Sequence, residues 1–453
     1  MPSAGGRRVV VVGGGLAGIA AALDAADAGA AVTLVERRRR LGGRTWSFRR
    51  HGLLMDNGQH VFMRCCTEYR AFVERIGGGE MIAMQRRLDV PVLAPGRPAS
   101  RIGRVGLPAP AHLAPSLAAY GHLAPRAKVS AVRAALRLGR VDPVAAATDE
   151  IAFGDWLVAN GQDDQAIAAL WDLIGRPTMN VVARDASLAL AAKVFRTGLL
   201  ESAGGADLGW PLVPLATLHD ELPSRALHAA GVEVVSGVAV QSVVRTDDGF
   251  AVHADAGRRW DVDAVIVALP HHAVAAVVPG GALGTGVQPW RLGASPIVNV
   301  HLVYDRRVTD LPFAAAIGSP VQFVFDRTET AGLRGPGQYL AISLSAADAE
   351  VDQKASAIVA GMTAAVAALL PKAGRAQLVD AMVSRERAAT FRGVPGTAPH
   401  RPPAATAIPG LVLAGAWTAT GWPDTMEGAV RSGRAAAAEA LGATIGHVTG
   451  SAA

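Results

Sequence analysis

Arg8-Val9-Val10-Val11-Val12-Gly13-Gly14-Gly15-Leu16-Ala17-Gly18 decides how this chain starts to fold. The run of valines is β-branched and apolar, so Arg8–Val12 reads as a buried strand. Gly13–Gly18 is a turn, Ile19–Ala28 reads as a helix and Ala31–Val35 as a returning strand, completing a β-α-β unit. Glycines in that turn let backbone N–H groups approach a pyrophosphate at the helix N-terminus, where the helix dipole favours an anion. Glu36 ends the second strand, at the spacing from which a carboxylate accepts hydrogen bonds from an adenosine ribose. Gly13, Gly15, Leu16, Ala17, Gly18 and Glu36 are therefore expected to bind a dinucleotide; a glycine turn beside an exposed glutamate is the bland alternative.

Further along, Trp46–Phe48 alternates, and from Pro91 to about Asp142 the chain becomes rich in proline, alanine and arginine, with helical patches. Leu215–Ala230 reads as a helix. Val232–Val235, Val238–Val243, Ala251–Ala254, Arg259–Val262 and Ala264–Leu269 read as strands, the last apolar throughout, as a buried parallel strand is. Ile297–Tyr304, Val321–Phe325 and Tyr339–Leu344 are further strands, Ala355–Leu370 a helix, Leu411–Leu413 a strand and Met426–Leu441 a closing helix. The pattern predicts an α/β fold. A Rossmann-like domain, with a parallel sheet, helices and a β-meander, is expected from residues 1–90, 211–270 and 402–445. It is interleaved with an α+β substrate-binding domain from 91–210 and 271–401, leaving 446–453 as a flexible tail.

The 453 residues exceed what one hydrophobic core supports, in keeping with two domains. Half are apolar and 18% charged, which suits a globular protein with an apolar cavity or a lipid-facing surface. The net charge of +6 favours an anionic partner, but outside Arg37–Arg40 the arginines are scattered. Without interleaved basic and aromatic residues, no nucleic acid is expected, and no metal site is read from the sequence. Cys65 and Cys66 are adjacent, which points to reduced thiols. Val9–Val12 is too short for a signal peptide, so a cytoplasmic location is expected. Val105–Pro125 and Ala264–Trp290 are uncharged but broken by prolines, and neither can run as one spanning helix.

Leu41-Gly42-Gly43-Arg44-Thr45 resembles the second glycine-arginine motif of the flavin amine oxidase and carotenoid desaturase superfamily, a segment that passes over the FAD pyrophosphate. Gly42 and Gly43 permit close approach and Arg44 supplies positive charge. Leu413-Ala414-Gly415 with Met426–Gly433 resembles the superfamily's last motif, whose helix N-terminus points at the flavin ring. Within the superfamily the chain looks like the hydroxysqualene dehydroxylases over nearly its whole length. The carriers are Asp56-Asn57-Gly58-Gln59-His60-Val61, Trp171, Asn180, Ala186-Ser187, Pro211–Leu215, Pro296–Leu302, Gln322–Arg327 and Thr418–Gly433. The resemblance implies FAD as cofactor, with Arg37, Asn57, Gly58, Gln59, Val238, Gly415, Ala416, Thr425, Met426, Glu427 and Ala429 joining the residues above in its site. One position departs from the pattern: the acidic residue usual after the glycine of the final strand is Ala416 here. That loss is expected to weaken FAD binding by roughly 1–3 kcal/mol unless water or Thr418 replaces the carboxylate.

The resemblance also implies reductive removal of the allylic hydroxyl of hydroxysqualene to give squalene for hopanoid synthesis. Loss of water leaves an allylic cation, quenched by hydride from reduced flavin N5 in an apolar tunnel. An acid must protonate the leaving oxygen. His60, with Asp56 near it in sequence, and His301 are the catalytic candidates, although a lone histidine is more often a hydrogen-bonded structural residue. Trp171, Trp422 and Phe325 either line a lipid cavity or pack in the core, and Asp424 and Glu427 read as helix caps in the bland alternative. Arg37–Arg40 reads as a solvated basic loop, with a second nucleotide's phosphate as the alternative. With Val105–Pro125 it is expected to dock peripherally on anionic lipid at the inner face of the membrane. Rival readings are a carotenoid or phytoene-type desaturase, an amine oxidase and a non-catalytic flavin-binding carrier of isoprenoids. The amine oxidase typically needs an aromatic cage, and none of the four tyrosines falls in the last motif.

Overall fold

The computed structural model describes residues 6–442. Its first layer is a parallel sheet of five strands in the order Glu233–Ser236, Ala31–Glu36, Arg8–Val12, Ala264–Val267, Leu411–Leu413. The valine strand occupies the middle because a central strand covered on both faces must be apolar on both, and Val9 to Val12 are all buried. Helix Leu16–Asp27 packs against helix Met426–Leu441, so the two ends of the described chain meet on one face of this sheet. They pack tightly at Gly433: a Cβ placed there would stand 2.1 Å from the Ala17 carbonyl oxygen. The expected β-meander is present as antiparallel Val240–Thr246, Gly249–Ala254 and Arg259–Val262.

The second layer is a seven-stranded sheet ordered Leu378–Thr390, Ser295–Tyr304, Gln338–Ser345, Phe323–Asp326, Phe313–Ala316, Asp89–Ala94, Arg97–Gly103. Ala315 pairs in parallel with Val92, so two stretches far apart in sequence close one sheet. Helix Ala355–Leu369 covers it through Ile358, Met362 and Val366, over Val300, Leu302, Leu340 and Ile342. The thirteen-residue strand Leu378–Thr390 was not foreseen. It is an edge strand, paired only with Ser295–Tyr304, and carries Arg385, Glu386 and Arg387, the charge that edges use to resist further pairing and that hides the alternation of a buried strand.

Helices between residues 125 and 200 bury a cluster that includes Phe153, Trp171 and Phe195. Of the two proline-broken stretches, Val105–Pro125 forms only short turns and the six-residue helix Ala114–Ala119. Ala264–Trp290 is a strand followed by the four-residue helix His271–Val274. Among the described residues no helix is long and apolar enough to cross a membrane. The tail expected at 446–453 lies outside the described residues.

Candidate active site

A cavity of about 1070 Å³ runs between the two sheets. One wall is the glycine turn. Gly13 adopts φ +107° and donates its N–H to Val35 O at 2.8 Å, which folds the turn back over the strand end. Gly15 precedes the first helix and offers no side chain to cap it, so the N–H groups of its first turn face the cavity beside Leu16 and Ala17. Gly43 faces Gly15 across the cavity floor: a Cβ on Gly43 would reach within 2.9 Å of Gly15 Cα. Two backbones thus present a surface bare of side chains, the shape a pyrophosphate needs. Gly42 and Gly43 take φ +84° and +59°, a conformation glycine adopts without strain. The Glu36 carboxylate accepts Gly14 N–H at 2.7 Å and Arg38 N–H at 2.8 Å, one on each oxygen, leaving lone pairs for a ribose.

Asn57 fixes the segment that carries Arg44. Its amide donates to Arg44 O at 2.8 Å and accepts Trp46 N–H at 3.0 Å. Arg44 lines the cavity, its guanidinium 3.3 Å from Asp424, which also accepts Phe391 N–H at 2.9 Å. Gly58, Gln59, Val238, Gly415, Ala416, Thr425, Met426 and Ala429 line the same wall, and Gln59 Nε2 is a buried donor without a partner among the described residues.

Some expected roles are corrected. Gly18 lies off the cavity and serves packing, since a Cβ there would stand 1.9 Å from Gly13 O. The final helix is capped by Thr425, whose hydroxyl accepts Gly428 N–H at 3.2 Å, so neither Asp424 nor Glu427 caps it. The Glu427 carboxylate turns away from the cavity to accept Tyr69 N–H at 2.8 Å and pairs with Arg431 at 2.7 Å, so only its backbone is left to the cofactor wall. Arg37 and Arg38 border the cavity, while Arg38 and Arg40 fold back onto the Gly43 carbonyl and Arg40 covers the Trp46 ring at 4.7 Å.

The opposite wall is apolar: Leu88, Val90, Ile102, Trp210, Phe313 and Phe325. Phe313 stacks on Phe325 with ring centroids 6.1 Å apart and meets Trp210 at 5.6 Å. Phe325 is thus a cavity residue as one reading had it, whereas Trp171 packs among Phe153 and Phe195, its indole N–H on Gln162 at 2.9 Å. Trp422 belongs to the core on the nucleotide side, with Arg431 over its ring at 5.1 Å.

Polar groups gather where the walls meet. Asp56 and Arg327 form a buried ion pair at 3.0 Å, and Asp56 also accepts Ser47 Oγ at 2.7 Å and Leu215 N–H at 2.9 Å. Burial pushes the Asp56 carboxyl up, against the pull of Arg327. His60 lines the cavity, and burial together with the Arg327 guanidinium lowers its pKa to about 4, so at neutral pH it is an uncharged donor and acceptor rather than a stored proton. His301 is off the cavity, its ring nitrogens taken by Tyr339 OH at 2.6 Å and Ser384 Oγ at 3.0 Å; it is the structural histidine of the two candidates. Sequence reasoning missed Arg327 and Asn299 as site residues, although both stand in quoted motifs. It also missed Arg401, a buried guanidinium that donates to the carbonyls of Ala416, Thr418 and Trp422 and so holds the loop before the last helix.

Histidines held below their ordinary pKa make stability depend on pH. Burial lowers His60 and His301 to about 4 and His219 to about 3, from an ordinary value of 6.5. The unfolded chain therefore binds more protons as pH falls below 6.5, so this stability is complete above 6.5 and is lost progressively towards pH 4. The melting temperature is expected to fall steadily from pH 7 to pH 5, and His301→Gln to flatten that slope; equal slopes would place the acid sensitivity elsewhere.

Residues 16–441 match the family model described as flavin containing amine oxidoreductase. The chain belongs to this family. It is an FAD-dependent oxidoreductase, and the bare glycine surface and the Glu36 carboxylate fit that cofactor. It is similar to the hydroxysqualene dehydroxylase of Sinorhizobium fredii, 27% identical over 97% of this chain and 99% of that one. That of Rhodopseudomonas palustris is 29% identical over 95% and 97% of the respective chains. The zeta-carotene desaturase of Synechocystis is 24% identical over 95% and 96%. Among solved structures, cyclohexylamine oxidase from Brevibacterium oxydans superposes with a TM-score of 0.72 at 19% identity, covering 96% of this chain and 99% of the other, which shows a shared fold.

In this oxidoreductase Ala416 lines the cavity, its methyl facing Gly428 in the first turn of the last helix. Ala416→Asp is expected to tighten FAD about tenfold by restoring a charged acceptor there. Titration of apoprotein with FAD measures this, and equal dissociation constants would remove the carboxylate's role.

Proposed function

We propose that this flavoprotein removes the hydroxyl of hydroxysqualene reductively and releases squalene. The observation that carries the reading is the single cavity whose glycine wall suits a dinucleotide and whose facing wall is aromatic and aliphatic, with His60 and the Asp56–Arg327 pair at their junction. The similarity to two hydroxysqualene dehydroxylases over nearly the full length supports it. Residues 1–90, 211–270 and 402–445 are assigned to the FAD domain and 91–210 with 271–401 to the substrate domain. FAD would lie against Gly13, Gly15, Leu16, Ala17 and Glu36, under Gly42, Gly43 and Arg44, with Val238, Gly415, Ala416 and the backbone at Thr425–Glu427 completing the wall. Reduced FAD, when bound there, would supply both the hydride that replaces the hydroxyl and the proton with which the hydroxyl leaves as water.

The protein's own residues bind, orient and shield. Trp210, Phe313 and Phe325 hold the hydrocarbon and exclude water, which would otherwise capture an allylic cation. Neutral His60 can both donate to and accept from the substrate hydroxyl and so orients it. Asp56 partly compensates the Arg327 guanidinium and so limits the positive charge beside developing cationic character. An anaerobic assay of FAD-loaded, chemically reduced protein with hydroxysqualene tests the proposal. Squalene should form in step with flavin reoxidation; reoxidation only on admitting oxygen, with no squalene, would refute it. A carotenoid desaturase is the second reading, favoured by the similarity to zeta-carotene desaturase, and it would lengthen a conjugated polyene and shift its absorbance.

A further inference from the structure

We propose that the outward face of helix Pro125–Leu138 docks this protein on an anionic membrane surface. Ala131, Ala134 and Leu138 bury one face of the helix. Val129, Val132 and Leu136, three and four residues apart, form a stripe on the other and are 53%, 42% and 51% exposed. Arg126, Arg133 and Arg137 run along one side of that stripe and Lys128 lies on its other side. This is the arrangement of a helix lying in an interface, with apolar side chains towards the acyl boundary and cations reaching sideways to headgroups.

Charge selects the partner. Residues 90–141 contain eight arginines and lysines and no aspartate or glutamate. Among the described residues Arg126, Lys128, Arg133 and Arg137 make no ion pair; Arg137 reaches Asn160 Oδ1 at 2.8 Å and Lys128 a carbonyl. A stripe of apolar side chains flanked by cations that make no ion pair among the described residues is complementary to anionic lipid headgroups over an apolar layer. Arg38 and Arg40, turned back onto the Gly43 carbonyl, are less free to take this part.

The helix also stands close to the cavity. Ala134 and Leu138 belong to the same apolar cluster as Leu88, Val90 and Leu199, which line it. A Cβ on Gly139 would touch Leu200 at 3.8 Å, one residue from Leu199. Docking by this face would bring a lipid-dissolved substrate within a layer of side chains of the cavity; that purpose rests on the proposed function, while the docking does not.

Co-sedimentation of the FAD-loaded full chain with vesicles of equal parts phosphatidylcholine and phosphatidylglycerol tests the proposal. Binding is expected at low salt, weaker at high salt and absent with phosphatidylcholine alone. Arg126→Gln/Arg133→Gln/Arg137→Gln should lower the partition coefficient about a hundredfold, as expected for three cations near an anionic surface. Val129→Ser/Val132→Ser/Leu136→Ser should also weaken it, with flavin content and turnover of detergent-dispersed hydroxysqualene unchanged in both variants. Vesicle binding unaltered in both variants would overturn the proposal, as would variants that lose self-association by light scattering instead of vesicle binding. Vesicle binding by wild type that fails in both variants, with no turnover of hydroxysqualene by any of them, would keep the docking face and discard the substrate.

Discussion

Gly433→Ala is expected to yield protein that purifies without FAD and melts well below the wild type. The added Cβ would stand 2.1 Å from Ala17 O, 3.0 Å from Ala17 C and 3.1 Å from Ala20 Cβ. The obstacle is backbone on a neighbouring helix, so no rotamer change relieves it, and the two helices must separate by more than an ångström. Separation costs more than the contact itself. Ala17 belongs to the first turn of the helix whose N–H groups face the cofactor wall, and Met426 and Ala429 on the partner helix line the same cavity. Overpacking of this kind costs about 1–3 kcal/mol even where side chains can yield, and a backbone clash exceeds that range. A control sits in another helix: Gly361 meets nothing within 4 Å, so Gly361→Ala should raise stability by about 0.5–1 kcal/mol through helix propensity alone. Flavin absorbance relative to protein and thermal melts measure both. A Gly433→Ala protein with full flavin and an unchanged melt would show that the helices can slide apart without harm.

The nucleotide half was readable because its signals are local. Four valines, a glycine turn and Glu36 sit within thirty residues, and each demand is made by the backbone nearby: a buried parallel strand, a tight turn, a helix start. The parallel strand at Ala264–Val267 and the final strand and helix were legible for the same reason. Sites built from long-range partners were not. Asp56 stood in a quoted motif, but its counter-ion Arg327 is 271 residues away, and nothing near either residue announces the pairing. Arg401 looks in sequence like any surface arginine, because the carbonyls it serves reveal themselves only once the loop before the last helix is closed around it.

The two histidine candidates illustrate the limit. His301 and Asn299 share a face of one strand, and Asn299 reaches the cavity. Two residues further on, about 6.6 Å along the strand, His301 has passed beyond it and lies under Tyr339 and Ser384. Periodicity gives the face of a strand but not where along it a cavity ends.

Asp56→Asn is expected to destabilise the FAD-loaded protein by about 3–5 kcal/mol, since it strips the counter-charge from a buried guanidinium. Arg327 is 7% exposed and its remaining contact is with Pro211 O at 3.1 Å, so without Asp56 its charge has no compensation in a low-dielectric site. Arg327→Met creates the mirror problem in a milder form. The orphaned carboxyl, already pushed up by burial, can take a proton and become neutral, at the cost of its two other hydrogen bonds adjusting. The pair joins the Leu53–Asp56 strand, the Pro211–Leu215 segment and the end of the Phe323–Asp326 strand, so either loss loosens the junction of the two cavity walls. The double variant Asp56→Asn/Arg327→Met removes both charges, and its loss should fall short of the sum of the singles by about 2–3 kcal/mol. Urea unfolding of the four proteins gives the cycle, and strict additivity would mean that the pair is solvated. His60 supplies a second readout: with Arg327 gone, one of the two influences that hold its pKa near 4 is removed, and its titration, followed by NMR of the imidazole, should move upward. That shift is expected in Arg327→Met and not in Asp56→Asn, which keeps the guanidinium in place, so the two substitutions separate a structural bridge from the electrostatic control of His60.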